Sequence, residues 1–363
     1  MCDTSKLNNP QKKVEIKNRF SNIELLRILA SIGVILIHYN SIAHSYIDGN
    51  TINRYYLCAL DIIVDCAVNL FVMISGFFLC NTDYRQVNKI VGLIVQFVFF
   101  RSVLYILLAI IKGTPLGFVS ILNLLLPVNY YIVLYSVLYI ISPYLNIVIR
   151  NLDIRAFGKF VMLLFILFSV ETWIVDVLQR ITDESYVGLS SIGLNGSQNG
   201  FTIINFIVCY YIGAYVRQKI EWLKKVRINI LFVLTTFVFV VLSLMNITQY
   251  VNQIDLATLN YNNPLLITLS AFLFILFCRI GISSVIINRL AKASFTCFIL
   301  HSSFLPYLGI DKVVNESLFV LILHQVIVSI GLFAISYLVY LLYECVLCSM
   351  CRKVFERVRD KIK

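Results

Sequence analysis

Long apolar runs, separated by short polar segments, dominate the pattern of this chain. Ten of them reach or approach the roughly 20 residues that a helix needs to cross the hydrocarbon core of a bilayer. The runs are continuous, whereas a transmembrane β-barrel shows alternation in segments of about ten residues. The pattern therefore predicts an all-α polytopic membrane bundle with about ten transmembrane helices. The predicted spans cover residues 23–43, 57–80, 90–111, 130–149, 158–179, 200–218, 227–248, 264–281, 292–310 and 319–346.

Composition agrees with a membrane protein, because 60% of the 363 residues are hydrophobic and only 13% are charged. The chain divides into a basic N-terminal segment (1–22), a membrane domain (23–346) and a basic tail (347–363). The first apolar run is too long for the apolar core of a signal peptide and is predicted to be a retained span. The short apolar segment 114–128, which is flanked by proline, is predicted to be an interfacial helix.

The distribution of positive charge predicts the orientation in the membrane. With the N-terminus in the cytoplasm, 24 of the 30 Lys and Arg residues fall in cytoplasmic segments. The outer loops then hold only Arg54, Lys112, Arg180 and Lys312. Since cytoplasmic loops are enriched in Lys and Arg, we expect both termini in the cytoplasm and a multi-pass protein of the cell's inner membrane. The net charge of +11 is thus a topology signal, and no basic domain indicates a nucleic-acid partner.

The first predicted span carries ionisable residues on one face. Arg27 and His38 are eleven residues apart, close to three helical turns, so their side chains share a stripe about 16 Å long. Charged groups inside a membrane are costly and are usually functional. Near the inner side, next to Ser75 of the second span, Arg27 is suited to hold a phosphate or carbonyl group of an entering cofactor. Gly76, which follows Ser75, permits the close approach of a neighbouring backbone. Snorkelling of Arg27 to the interface is the alternative, but the shared stripe and a nearby partner, Glu24, argue against it.

His38 lies near the outer end of its span, at a depth similar to that of Asp61 and Asp65 in the second span. Either carboxylate can hold the His38 ring and stabilise its protonated form, as expected for a general base. The alternative is that these aspartates pair structurally, with Arg101 as a partner. Arg101 lies near the middle of the third span and must face the bundle interior or a cavity.

Two further polar positions and a cysteine series lie in later spans. Glu171 lies in the outer half of the fifth span, and His301 lies at mid-depth in the ninth. Two interpretations of His301 stay open: a structural histidine with satisfied hydrogen bonds, and a functional one. Cys345, Cys348 and Cys351 recur every third residue, but no fourth ligand is near, so no metal site is predicted. They are interpreted as small residues at a helix end.

Five blocks in order resemble those of the bacterial membrane acyltransferase family three, which includes polysaccharide and lipopolysaccharide O-acetyltransferases. The first is IELLR with the Arg-X10-His spacing of Arg27 and His38, and the second is NLFVMISGFFL (69–79). The others are NYYIVLYSVLYIISPYL (129–145), FIVCYYIGAYV (206–216) and ASFTCFILHSSFL (293–305). Two departures are tyrosines where the family's fourth block opens with tryptophan, and a thin basic cluster after the second span.

The resemblance implies transfer of an acyl group, acetyl in the first instance, from cytoplasmic acyl-CoA to a hydroxyl of an envelope or lipid-linked glycan. Acyl-CoA is then a co-substrate, and no permanently bound cofactor is expected. His38 would act as base or acyl-accepting nucleophile, Arg27 would position the donor, and Asp65 would support His38. Donor contacts are expected from Arg27, Ser75, Arg85, Lys89 and Arg101. Acceptor contacts are expected from Asp61, Tyr130, Tyr131, Glu171 and His301.

Two other classes stay open. A transporter or flippase for a lipid-linked glycan would use the buried charges as a pathway, but it calls for spans broken by Gly or Pro in matching halves, which the sequence does not predict. A glycan polymerase calls for a large basic outer loop. The loops at 180–200 and 249–263 are polar and suit hydroxyl-rich ligands, although ordinary loops look the same. The sequence indicates no particular acyl group, sugar or oligomeric state.

Overall fold

Helices make up the fold, as predicted, and no strand occurs in the described ranges. The computed structural model describes residues 20–82, 87–112, 130–189 and 198–362, with side chains except at 87–91, 107–108, 111–112, 198 and 347–362. The helices are α1 (Ser21–Tyr46), α2 (Thr51–Leu79), α3 (Val87–Lys112), α4 (Tyr130–Asn151), α5 (Ile154–Phe165), α6 (Thr172–Thr182), α7 (Ile203–Leu223), α8 (Ile228–Asn252), α9 (Pro264–Cys278), α10 (Val285–Leu290), α11 (Ser294–Phe304), α12 (Ile310–Val313) and α13 (Leu318–Ile362). The predicted interfacial helix at 114–128 lies outside the described residues.

Six helical stretches are long and apolar enough to cross a membrane: α1, α2, α4, the continuous stretch Ile154–Thr182, α8 and α13 up to Val346. Two shorter apolar stretches cover Gly92–Ile106 and Pro264–Cys278. A membrane protein is therefore confirmed, while the count of ten spans and the side of each terminus stay predictions.

Two predicted spans have internal irregularities. The fifth runs from α5 to α6 through one π-helical turn, Ile166–Glu171, where Ser169 donates a hydrogen bond to the carbonyl of Asn262 at 2.7 Å. The ninth is interrupted, because α11 has only 11 residues and ends before Pro306. Gly309 then adopts a positive φ of 69°, which glycine reaches without steric cost. The ninth span is thus broken near Pro306 and Gly309, whereas the transporter alternative calls for such breaks in matching halves of the chain.

Helix α2 is the centre of the bundle. Its apolar window is 78% buried, whereas the windows of the other candidate spans are half buried or less. α2 crosses α7 where each helix has a glycine against the other's backbone. A Cβ atom on Gly76 would lie 2.0 Å from the carbonyl oxygen of Tyr210, and one on Gly213 would lie 2.0 Å from that of Met73. The predicted close backbone approach at Gly76 is confirmed, and it fixes α2 in place.

The short connection between α4 and α5 is set by a capping carboxylate. Asp153 accepts hydrogen bonds from the backbone N–H groups of Arg155, at 2.7 Å, and Ala156, at 2.9 Å. The hydrogen bond from Ala156, and then that from Arg155, lowers the pKa of this carboxyl below its ordinary value. A charged oxygen at a helix N-terminus satisfies donors that the helix leaves free, so α5 begins at a defined residue.

The predicted topology can be tested with reporter fusions. We expect alkaline phosphatase, which is active only outside the cytoplasm, to be active when fused after Asp183 and inactive when fused after Lys225. These positions lie on either side of α7 and differ in charge, since Arg217, Lys219, Lys224 and Lys225 surround the second. A cytoplasmic reporter at the same two positions serves as the control. Equal activity of one reporter at both positions would contradict the predicted alternation.

Candidate functional site

Arg27 opens the site at the end of the bundle where α1 begins. Its Nη1 donates to Oε2 of Glu24, one turn earlier, at 2.7 Å. The predicted pairing with Glu24 is confirmed. The Glu24 side chain is 9% exposed and the Arg27 side chain 29% exposed, so the guanidinium keeps an accessible edge beside a buried carboxylate. An ion pair of this kind holds the guanidinium in place and leaves donors for a ligand, since Arg has five N–H groups.

A cavity of about 310 Å³ lies beside Arg27. Lys292 is the second cation on its wall, and it forms an ion pair with Glu344 of α13 at 3.3 Å. Ser75 also lines the cavity, so the expected neighbourhood of Ser75 and Arg27 is present. The remaining wall is aromatic, aliphatic or hydroxyl-bearing and consists of Phe71, Ile74, Leu93, Tyr131, Ile132, Tyr135, Ser136, Ala291, Ser294, Phe295 and Phe298. The cavity thus combines cations with a narrow, mainly apolar interior.

His38 lies farther along the same stripe of α1 and faces His301 of α11. The two imidazole rings are 4.9 Å apart between centroids and are tilted by 40°. His38 is exposed, whereas His301 is 2% exposed. Nδ1 of His301 donates to the carbonyl of Cys297 at 3.0 Å, which fixes the proton on that nitrogen. Nε2 is then a bare acceptor, and it is buried with no hydrogen-bond partner among the described residues.

Phe298 connects the cavity with the histidine pair. Its ring lines the cavity and lies 5.1 Å from the ring of Tyr131 and 6.2 Å from that of His301. Arg27, the cavity, Phe298 and the two histidines therefore follow one another along one side of α1. A cationic pocket that leads through aromatic side chains to an imidazole pair can hold a long anionic molecule with its reactive end near the imidazoles.

A family model described as an acyltransferase domain matches residues 20–341. The chain belongs to acyltransferase family 3. The match runs from α1 to about the middle of α13, so the Arg27 cavity and the histidine pair both lie inside this acyltransferase domain. Neither curated proteins nor solved structures give a match to the chain.

One acidic residue of this family 3 acyltransferase, Asp61, is placed differently from the expectation. Asp61 accepts from Asn40 Nδ2 at 2.6 Å and contacts His44 Nε2 at 2.9 Å, instead of holding the His38 ring. The reason is the rotation of α1, which packs Gly33 against Val64 and Ala67 of α2. Asn40 and His44 follow Gly33 at about two and three turns and face α2, whereas His38 is rotated by roughly 140° from that face. The predicted pairing of Asp61 with His38 is corrected to a pairing with His44.

Asp65 lies one turn beyond Asp61 and is 7% exposed. In the described part of the chain it has no ion-pair partner, and Arg101 does not reach it. Arg101 instead places its guanidinium 5.4 Å from the ring centroid of Phe97. The described residues therefore contain no ion pair between Arg101 and either aspartate, which was the structural alternative. The supporting role of Asp65 toward His38 stays a prediction.

The aromatic pair at the start of α4 is divided between two environments. Tyr131 lines the Arg27 cavity and stacks on Tyr135 with ring centroids 5.9 Å apart. Tyr130 packs against Phe201 at 4.4 Å, outside the cavity wall. Tyr131 is predicted to contact the acceptor, but it lies on the wall of the Arg27 cavity, beside Arg27 and Ser75, which are predicted to contact the donor.

Of three other predicted contacts, the structure places only that of Glu171. Both carboxylate oxygens of Glu171 accept from the backbone N–H of Leu189, at 3.2 and 3.1 Å, so this residue is engaged in holding a loop rather than facing the cavity. Arg85 and the side chain of Lys89 lie outside the described residues.

Two residues of the site were missed by sequence reasoning. From the charge count alone Lys292 is one of the cytoplasmic cations, whereas in the structure it lies in the 3-10 turn Ala291–Ala293, just before α11, and lines the cavity. His44 was given no role, although its spacing of four residues from Asn40 puts both on one helix face. That spacing was the available signal, but their partner Asp61 belongs to another helix.

Proposed function

We propose that this family 3 acyltransferase transfers an acyl group, acetyl in the first instance, from cytoplasmic acyl-CoA to a hydroxyl of an envelope or exported polysaccharide. The observation that carries the proposal is the continuous series from Arg27 and Lys292 through Phe298 to His38 and His301. In this proposal the enzyme lies in the cell's inner membrane with both termini in the cytoplasm. The cation-lined mouth then faces the compartment that supplies the donor.

The cavity chemistry fits the donor. Acyl-CoA has phosphates at one end and a thin, mainly apolar arm that ends in a thioester. Arg27 and Lys292 bind the phosphates in exchange for part of their contact with Glu24 and Glu344. The arm lies along the serine and aromatic wall, with the thioester directed past Phe298. The roughly 16 Å between Arg27 and His38 along α1 is the distance that the arm has to cover.

The acyl transfer needs one proton acceptor and one positioned hydroxyl. In the general-base route, His38 takes the proton of the acceptor hydroxyl as the oxygen attacks the thioester carbonyl. The C–O bond forms, the C–S bond breaks, and the proton passes to the leaving thiolate. In the nucleophilic route, a nitrogen of His38 attacks the thioester carbonyl, the C–S bond breaks and the CoA thiolate leaves. The acceptor hydroxyl then attacks the acyl-imidazole, the C–N bond breaks, and the hydroxyl proton passes by way of the freed imidazole to the thiolate.

In both routes we expect the His38 ring to turn so that it donates a hydrogen bond to the bare Nε2 of His301. This contact would set the tautomer of His38, a role that the sequence assigned to an aspartate.

The direct test uses membrane vesicles with the donor side exposed, radiolabelled acetyl-CoA and the host's own envelope glycan. We expect label in the glycan with the wild-type protein and none with membranes from a deletion strain. A deletion strain in which the glycan is fully acylated but accumulates on the wrong side of the membrane would contradict the proposal. That result would favour a transporter.

Neutralising the cavity cations is expected to weaken donor binding. Arg27→Gln and Lys292→Gln should each raise the KM for acyl-CoA by about tenfold or more, because a hydrogen bond to a charged group contributes about 1.5–3 kcal/mol. The measurement is label transfer as a function of donor concentration. Lys224→Gln is the matched control, since Lys224 pairs with Glu221 at 2.9 Å, three residues away, on an exposed helix end outside the cavity wall. Equal KM values for all three variants would contradict the assignment of the cavity to the donor.

A further inference from the structure

A second cavity, of about 420 Å³, lies at the end of the bundle where α1 ends. It is lined by His44, Cys58, Asp61, Asn246, Gln249, Tyr250, Gln253 and Leu259, and it shares no wall residue with the Arg27 cavity. His44 follows His38 by six residues, about 9 Å along α1, and points to a different side of the helix. A molecule in this cavity is therefore separate from the histidine pair.

A chain of hydrogen bonds from three helices orients His44. Tyr56 donates to Gln325 Oε1 at 2.6 Å, and Gln325 Nε2 donates to Asn40 Oδ1 at 3.0 Å. Asn40 in turn donates to Asp61, whose other oxygen receives His44 Nε2. Since the carboxylate is an acceptor, in the neutral imidazole Nε2 carries the proton and Nδ1 keeps a lone pair. Each oxygen of Asp61 has a partner, and the group that the neutral ring leaves for a ligand is an acceptor nitrogen on a 28% exposed ring.

The amide groups on the opposite wall offer complementary atoms. Asn246 donates its Nδ2 to the carbonyl of Cys58 at 2.9 Å, which leaves its carbonyl oxygen as an acceptor. Gln249 Oε1 already accepts from Leu256 N at 3.0 Å and from Thr258 Oγ1 at 3.0 Å, which leaves its NH₂ group as a donor. Gln253 and Tyr250 add further polar atoms and an aromatic ring.

The charged groups around the cavity are few and paired. Among the described residues its wall has no Lys or Arg. Arg54, outside this wall, has its guanidinium 4.6 Å from the Tyr250 ring centroid and donates to the carbonyl of Ile47 at 2.6 Å. The single carboxylate on the wall is compensated by Asn40 and His44. Alternating neutral donors and acceptors around a partly apolar pocket suit a ligand with several hydroxyl groups and apolar ring faces.

We propose that this cavity binds a neutral sugar unit of the acceptor glycan and holds the chain apart from the histidine at which transfer takes place. The proposal rests on the acyltransferase function proposed above for its source of sugar. His44 is a positioning residue here. Its Nδ1 accepts a hydrogen bond from a sugar hydroxyl, while Asp61 keeps the ring in the required tautomer.

The test measures binding directly. The probe is a fluorescently labelled pool of oligosaccharides released from the host's envelope polysaccharide and stripped of acyl groups, and the protein is the full chain in lipid nanodiscs. We expect His44→Gln to weaken binding by about tenfold, since its amide still donates to Asp61 but its acceptor oxygen does not occupy the position of the imidazole Nδ1. Gln253→Asn, which shortens a cavity amide and tolerates the positive φ of 54°, should also weaken binding.

Two further proteins are expected to bind like the wild type. His38→Ala removes the reacting imidazole but leaves the cavity intact. Asp311→Asn changes an exposed polar residue at the same end of the bundle outside the cavity. A pool that fails to bind the wild-type protein, or that binds all four variants equally, would overturn the inference.

The same set separates this inference from the proposed function. If only the cavity variants lose binding and the wild-type protein transfers no label to glycan, the sugar site is supported and the acyltransferase proposal is contradicted. If the wild-type protein transfers label but every variant binds equally, the acyltransferase proposal is supported and the sugar site is contradicted.

Discussion

Replacing His38 by alanine is expected to lower acyl transfer to the glycan by about 10²–10⁴-fold, the range that a positioned acid–base group contributes. Binding of acyl-CoA should change little, because the cations of the cavity lie about 16 Å away along α1. The measurement is label transfer at saturating donor, together with direct donor binding, on protein that elutes as a single folded species. A large loss in turnover with intact donor binding is the signature of a residue that acts on the reacting atoms.

His324→Gln is the control for this prediction. His324 accepts from Tyr39 OH at Nδ1, at 2.8 Å, and its Nε2 donates to the carbonyl of Leu308 at 3.0 Å, so both nitrogens are committed to structure. We expect transfer per folded molecule to be retained in this variant. Full transfer by a folded His38→Ala protein would remove His38 from the chemistry.

The same His38→Ala protein distinguishes the two chemical routes. When labelled acyl-CoA is mixed with protein in the absence of glycan, the nucleophilic route leaves label on the wild-type chain and none on the variant. The general-base route leaves no label on either protein. The reaction is quenched rapidly, and separation under denaturing conditions then shows whether label remains on the protein chain.

Enlarging either glycine at the crossing of α2 and α7 is expected to have the largest effect on stability. A Cβ atom at Gly76 or Gly213 would lie 2.0 Å from a backbone carbonyl oxygen of the facing helix, closer than any non-bonded contact allows. The facing atom is backbone, so the helices themselves must separate. Overpacking in a core commonly costs about 1–3 kcal/mol, and we expect Gly76→Ala and Gly213→Ala to reach or exceed the upper part of that range.

Thermal unfolding in detergent, followed by the loss of the monodisperse peak, measures this effect. Gly92→Ala and Gly331→Ala are matched controls, because both glycines lie inside helices with open space where the Cβ would be. Alanine also has the higher helix propensity, so these controls should be neutral or slightly stabilising. Equal melting temperatures for the crossing variants and the controls would contradict the close packing.

Sequence reasoning was most successful where a property belongs to a single helix. The stripe of Arg27 and His38, the partnership of Arg27 with Glu24 and the need for glycine at position 76 follow from helical spacing and residue type alone. The structure contains each of these features.

The remaining parts of the site depend on how helices are rotated against one another. Gly33 packs on Ala67 and turns Asn40 and His44 toward Asp61, and a sequence does not state this rotation. His301 occupies the place expected of an aspartate because a short, interrupted helix carries it to His38. An apolar run of suitable length predicts a continuous span, and such an interruption is predicted only when Pro306 and Gly309 are considered together.

The ring of Phe298 has a consequence for the permeability barrier of the cell. In the proposed orientation, the cavity opens toward one surface of the membrane and His38 lies near the other. Water joining them would form a conduit for protons down the transmembrane potential. Phe298 lies between the cavity and the His301 ring, and an apolar side chain offers no site for the hydrogen-bonded water on which proton hopping depends. The side chain past which the proposed donor reaches would therefore also help to keep the membrane energised.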